Sequence, residues 1–147
     1  MSVYKVTVEV DGRSVESILK AGVPATMEVG THKDQVTSPE HRISMMVTES
    51  DDQPAAWVQV AKIQAETVEV LAEGWLGSDS NLKALNTFGA VPTGTITVAS
   101  EKEAAARLSP EHAAFGCCTA YGNGCYVRCC NGCCSDPGRC PGASCCG

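Results

Sequence analysis

Ten cysteines are the residues of this 147-residue chain with the most chemistry open to them, and all ten stand at one end. The first is Cys117 and the last is Cys146. They form four adjacent pairs, Cys117/Cys118, Cys129/Cys130, Cys133/Cys134 and Cys145/Cys146, with Cys125 and Cys140 standing alone. A thiolate is a nucleophile, a metal ligand and a disulfide partner. Residues 116–147 contain seven glycines and no leucine, isoleucine or methionine. Such a segment buries too little apolar surface to offset its chain entropy. Its sulfur atoms must therefore be used, or it has no structure.

Three uses compete. Metal binding is one: Cys129, Cys130, Cys133 and Cys134 pack four thiols into six residues around a Cys-x-x-Cys, a donor set that suits Zn²⁺, Cu⁺ or an iron–sulfur cluster. No second well-spaced pair completes a zinc site. Zn or Cu is the cofactor in this reading alone; the other two need none. A second use is a disulfide mini-fold, for which ten is an even number and Asn131-Gly132 and Asp136-Pro137-Gly138 are turn formers. That use needs an oxidising compartment. The N-terminal residues alternate polar and apolar side chains and lack the basic start and apolar run of a signal peptide. Synthesis in a reducing cytosol is the expectation, where close cysteines more often mean metal binding, catalysis or modification. Export of the tail product, or release on lysis, would restore oxidation.

The third use is enzymatic modification. Glycine precedes cysteine in Gly116-Cys117, Gly124-Cys125 and Gly132-Cys133, and Thr119, Ser135 and Ser144 add hydroxyls. With a long cysteine-free region ahead of it, this architecture resembles the precursor of a ribosomally synthesised and post-translationally modified peptide. The resemblance rests on architecture and composition. It implies that residues 1–115 act as a folded leader bound by modifying enzymes. It also implies that residues 116–147 are the core, altered at Cys, Ser or Thr into thiazole or oxazole rings and then released by a protease or exporter. Lanthionine rings fit less well, since three hydroxyl residues face ten thiols. This is the leading expectation, and under it the chain is a substrate and not an enzyme.

The elements that would position the tail read as strands. Val3–Val10 alternates, with Tyr4, Val6, Val8 and Val10 on one face, and Asp11-Gly12 is a hairpin turn. Arg13–Leu19, Ala25–Val29, His41–Thr48, Trp57–Ile63, Thr67–Leu71 and Gly94–Val98 follow as strands, and Thr31–Glu40 reads as a polar loop. Ser78-Asp79-Ser80 is a candidate cap for a short helix through Leu82, Leu85 and Phe88. Ser100 and Glu103 form a capping box for a second. The expected fold is mainly β: a small antiparallel sandwich or barrel-like domain with one or two short helices, then an irregular Cys-rich tail. The expected divisions are a β domain at 1–108, a linker at 109–115 and the tail at 116–147. Deleting the tail should then leave a folded, soluble domain.

Charge narrows the partners. Residues 1–115 carry about −7 and the tail about +1, which argues against nucleic acid and anionic membrane surfaces. No apolar run approaches the length of a membrane span. Self-association through sheet edges stays open. His32 and His41 read as solvated, His112 as a linker residue and Asp51-Asp52 as a turn. There is no Gly-rich phosphate loop and no hydrolase or metalloprotease motif.

Overall fold

Residues 2–50, 53–77, 82–85, 91–108 and 116–146 are described by the structure, a computed structural model. Strand β1 (Val3–Val10) turns through Asp11 and Gly12 into β2 (Arg13–Lys20). Both turn residues have positive φ, 49° and 72°, the geometry whose twist matches a two-residue hairpin. Tyr4, Val6, Val8 and Val10 all face the core, as the alternation requires.

A meander of β3 (Ala25–Lys33), β4 (Val36–Ser50), β5 (Gln53–Ile63) and β6 (Val68–Leu76) follows. The expected loop at Thr31–Glu40 is instead the tip of the β3–β4 hairpin. Asp34 and Gln35 take the left-handed conformation, φ 52° and 65°, without a glycine to announce it. Pro39 is tolerated in β4 because it sits at a bulge opposite Gly30. A side chain at Gly30 would meet the Ser38 carbonyl oxygen and the Pro39 Cα.

β7 (Lys83–Ala84), β8 (Thr93–Val98) and helix α1 (Glu101–Leu108) complete the first 108 residues. The proposed helix after Ser78 falls largely outside the described residues, and its described part, Lys83–Ala84, pairs as a strand with β6. The Ser100 capping box is present in both directions. The Ser100 amide donates to Glu103 Oε1 at 2.9 Å, and the Glu103 amide donates to Ser100 Oγ at 3.1 Å.

The tail is not irregular. It forms β9 (Cys117–Gly122), β10 (Cys125–Cys130), β11 (Cys133–Asp136) and β12 (Cys140–Ser144). All strand pairs are antiparallel. One sheet has the order β12-β11-β2-β1-β8 and the other β7-β6-β5-β4-β3-β10-β9. One core lies between the two sheets, with Val6, Val8, Val15 and Leu19 from the first and Met27, Val29, Ile43, Val58 and Val60 from the second. Tail residues Cys125, Val127, Cys129, Cys134, Cys140 and Cys145 belong to that same core. Strand pairing therefore crosses the boundary that composition places near residue 115: β10 pairs with β3 and β11 with β2.

Residues 1–115 alone would keep three strands of one sheet and five of the other, but with the β2 and β3 edges bare. Bare edges template pairing with other chains. We expect a chain ending at residue 115 to keep a β-type circular dichroism spectrum, melt at lower temperature than the full chain, and elute larger than a monomer in gel filtration.

Candidate functional site: a disulfide-laced double hairpin

The tail is two hairpins, one added to each sheet. β9 and β10 turn through Asn123 and Gly124, φ 52° and 78°. β11 and β12 turn through 137–139. Only Asn131 and Gly132 separate β10 from β11, so the chain passes from one sheet to the other at a sharp corner. Asn131 has φ 61°, and a side chain at Gly132 would lie 2.8 Å from Leu19 Cδ2. A glycine there lets the corner pack against Leu19 without displacing its side chain. Gly122 on β9 likewise passes against the backbone of Gly142 on β12, leaving no room for a Cβ.

All ten sulfurs are paired, as Cys117–Cys130, Cys118–Cys145, Cys125–Cys140, Cys129–Cys134 and Cys133–Cys146. The four vicinal pairs follow from the pleat. Successive residues of a strand point to opposite faces. Hence Cys118, Cys129, Cys134 and Cys145 point inward, and each bridges one sheet to the other. Their neighbours Cys117, Cys130, Cys133 and Cys146 point outward, and each bridge they make lies within one sheet. Cys125 and Cys140 have no cysteine neighbour because they supply only an inner bridge, the third to cross between sheets. The outer bridge Cys133–Cys146 lies in a small cluster with Val3, Ile18 and Ala104 of α1.

The arrangement differs from the candidate metal set. Cys129 joins Cys134, but Cys130 and Cys133 go to separate partners on the outer faces of different sheets. The four do not converge on a point. Among the described residues, no group of His, Cys, Asp and Glu side chains is placed to hold a metal ion. The hydroxyl residues are scattered: Thr119 is exposed and accepts from Arg128 Nη1 at 3.3 Å, Ser135 is half-buried, and Ser144 is exposed and accepts from the Cys146 amide at 3.1 Å.

A buried charge cluster joins the tail to the body. Arg13 and Asp136 are each 1% exposed, with Nε and Oδ2 3.0 Å apart. Glu40 receives Arg13 Nη2 at 3.4 Å and Arg139 Nη1 at 3.7 Å. Burial pushes the Asp136 carboxyl up, while the Arg13 guanidinium and the Arg139 backbone amide oppose it. His41 is not solvated as its polar neighbourhood suggests. It is buried with Nε2 3.0 Å from Asp11 Oδ2, and burial holds its pKa down against the pull of Asp11. His32 is the surface histidine of the two, bonded to Thr37 at 2.9 Å and packed on the Tyr121 ring. Asp51-Asp52 and His112 lie outside the described residues. Sequence reading passed over the Arg13–Asp136 pair, yet both are in phase with core positions: Arg13 with Val15 and Leu19, Asp136 with Cys134. Tyr126, on the outer face of β10, donates to Glu28 Oε2 at 2.8 Å, and burial together with that bond pushes its hydroxyl well up.

The fold and site define a β-sandwich whose sheets are extended and cross-linked by one C-terminal, disulfide-rich double hairpin. Comparison with family models, curated proteins and solved structures finds no match. No helix among the described residues is long and apolar enough to cross a membrane.

Two outcomes follow from the charges. Asp136→Ala leaves Arg13 buried with only the half-exposed Glu40 as partner, and should cost about 3 kcal/mol in denaturant unfolding of the oxidised protein. For His41 the folded pKa lies below the ordinary 6.5, so the unfolded chain binds the extra proton first. Its contribution is intact above 6.5 and is lost as pH falls through the folded value. Thermal melts should therefore drop between about pH 7 and about pH 5 more in the native chain than in His41→Gln. Asp136 acts with the opposite sign, from 3.8 upward, and cancels in that comparison.

Proposed function

We propose that the chain works as a covalently locked β-sandwich module in an oxidising environment, with a structural or binding role rather than a catalytic one. The observation that supports this is the division of the vicinal cysteines between faces. Every sulfur has a partner that strand geometry brings to it, and no thiol is left over as a nucleophile. Three bridges clamp the two sheets at one end, and two fasten the added hairpins strand to strand.

The modified-precursor reading has its own support, the confinement of all cysteines to the last thirty-one residues behind a cysteine-free domain. Its glycine argument weakens, because Gly124 serves a left-handed turn and Gly132 a close-packed corner, whatever chemistry the next residue undergoes. The edges of β2 and β3, where a modifying enzyme could add a strand, are taken by β11 and β10. A precursor would have to be modified before its tail docks.

Intact mass of the protein recovered from its own source separates the readings. Five disulfides make the product about 10 Da lighter than the reduced chain, reversibly on adding a thiol. Each azole ring would remove about 20 Da irreversibly. A reversible loss with no further decrement is the expected result, and irreversible decrements in the tail would defeat the locked-module reading.

A further inference from the structure

The five bridges are not equally open to solvent. Cys125, Cys129, Cys134, Cys140 and Cys145 lie in the core, so each inner bridge has at least one sealed sulfur. Of the outer bridges, Cys133–Cys146 has Cys133 fully buried beside Ile18. Cys117 is exposed, and its partner Cys130 lines an open cleft of about 460 Å³ on the outer face of the seven-stranded sheet.

The two outer bridges differ in the charge around them. Strand register places Arg42, Glu28 and Arg128 in one row across β4, β3 and β10. Ser44, Thr26, Cys130 and Cys117 form the next row on the same face, two residues along, about 7 Å away. Glu28, the one carboxylate of the cleft, is occupied by the Tyr126 hydroxyl and lies between two guanidiniums, so the cleft is net positive. The cleft at Cys133–Cys146 holds Glu16 and Glu103 beside Lys102, and Lys5 pairs with both glutamates at 3.8 and 3.4 Å, so that cleft is balanced in charge. An anionic nucleophile is attracted to the first and gains nothing at the second.

We propose that Cys117–Cys130 is a thiol–disulfide exchange site for a small thiol bearing carboxylates. The incoming thiolate attacks the exposed Cys117 Sγ along the S–S bond. A new disulfide forms between it and Cys117, and Cys130 leaves with the electron pair as a thiolate. Arg128, two residues away on the same face of β10, and Arg42 across the cleft stabilise that leaving thiolate, and a lower leaving-group pKa speeds exchange. A second thiolate then attacks the sulfur of the bound thiol; the mixed S–S bond breaks, Cys117 leaves as a thiolate, the small thiol departs as its own disulfide, and both cysteines are left reduced. The Cys118–Cys145 bridge keeps β9 in place throughout.

This site rests on the disulfide reading above, and the experiment tells the two apart. The fully oxidised full-length protein, verified by intact mass, is exposed to graded glutathione, alkylated, and mapped by peptide mass. The expected result is opening of Cys117–Cys130 ahead of every other bridge, with a glutathione adduct of about 305 Da on Cys117. The double variant Arg42→Gln/Arg128→Gln should lower the glutathione-to-cysteamine rate ratio at this bridge by about three- to tenfold, since cysteamine is cationic and gains nothing from the arginines. Opening of a different bridge first, an adduct on Cys130 instead of Cys117, or an unchanged rate ratio in the variant would each overturn the exchange site while leaving the locked module standing. A starting protein without five disulfides would overturn the module itself, and this site with it.

Discussion

The pleat of a β-strand sends neighbouring side chains to opposite faces, and the cysteine chemistry of this chain depends on that. A vicinal pair has one sulfur on each face of its strand. Each pair divides its labour, one sulfur into the core and across to the facing sheet, the other outward to a neighbour in its own sheet. Once Cys129 and Cys134 are joined across the Asn131-Gly132 corner, the register of both hairpins fixes where the remaining sulfurs fall.

Covalent links alone do not account for the order of the tail. In the chain-entropy picture the shortest loop, five residues, contributes about 2 kcal/mol and the longest, twenty-seven, about 3.5. Ordering some thirty residues costs roughly 1–2 kcal/mol each. The shortfall is met by the body, which lends the β2 and β3 edges for hydrogen bonding and a core in which Val127 and the inner sulfurs are buried. Arg13 and Asp136 add a directional contact at the far end of that seam, where the β1–β2 turn meets the β11–β12 turn.

The strands of the body were legible because branched residues alternate with polar ones over six or more positions, as in Val3–Val10 and in Ile43, Met45 and Val47. The β3–β4 tip was not, because Asp34 and Gln35 adopt left-handed geometry that sequence usually signals with glycine, and because Pro39 mimics a loop residue. The tail strands were hidden by composition. Glycine, asparagine, aspartate and proline are depleted in strands and recur through the tail, so the segment reads as irregular. The signal was present in another form: Cys-Cys pairs separated by hairpin-length intervals and Asn-Gly dipeptides mark strands whose two faces both need a sulfur. His41 was misjudged because its polar neighbourhood suggested solvent, while its phase with the buried positions around it placed it inside.

None of the five bridges ties the tail to the body, since residues 1–116 contain no cysteine. Ten cysteines can be joined in about 945 ways, and nothing covalent outside the tail selects among them. Selection falls to two non-covalent strand edges, which hold each hairpin in one register while oxidation proceeds. The body thus serves as a mould for its own C-terminus: it writes a single cross-linking pattern into a segment that, left to itself, has hundreds to choose from.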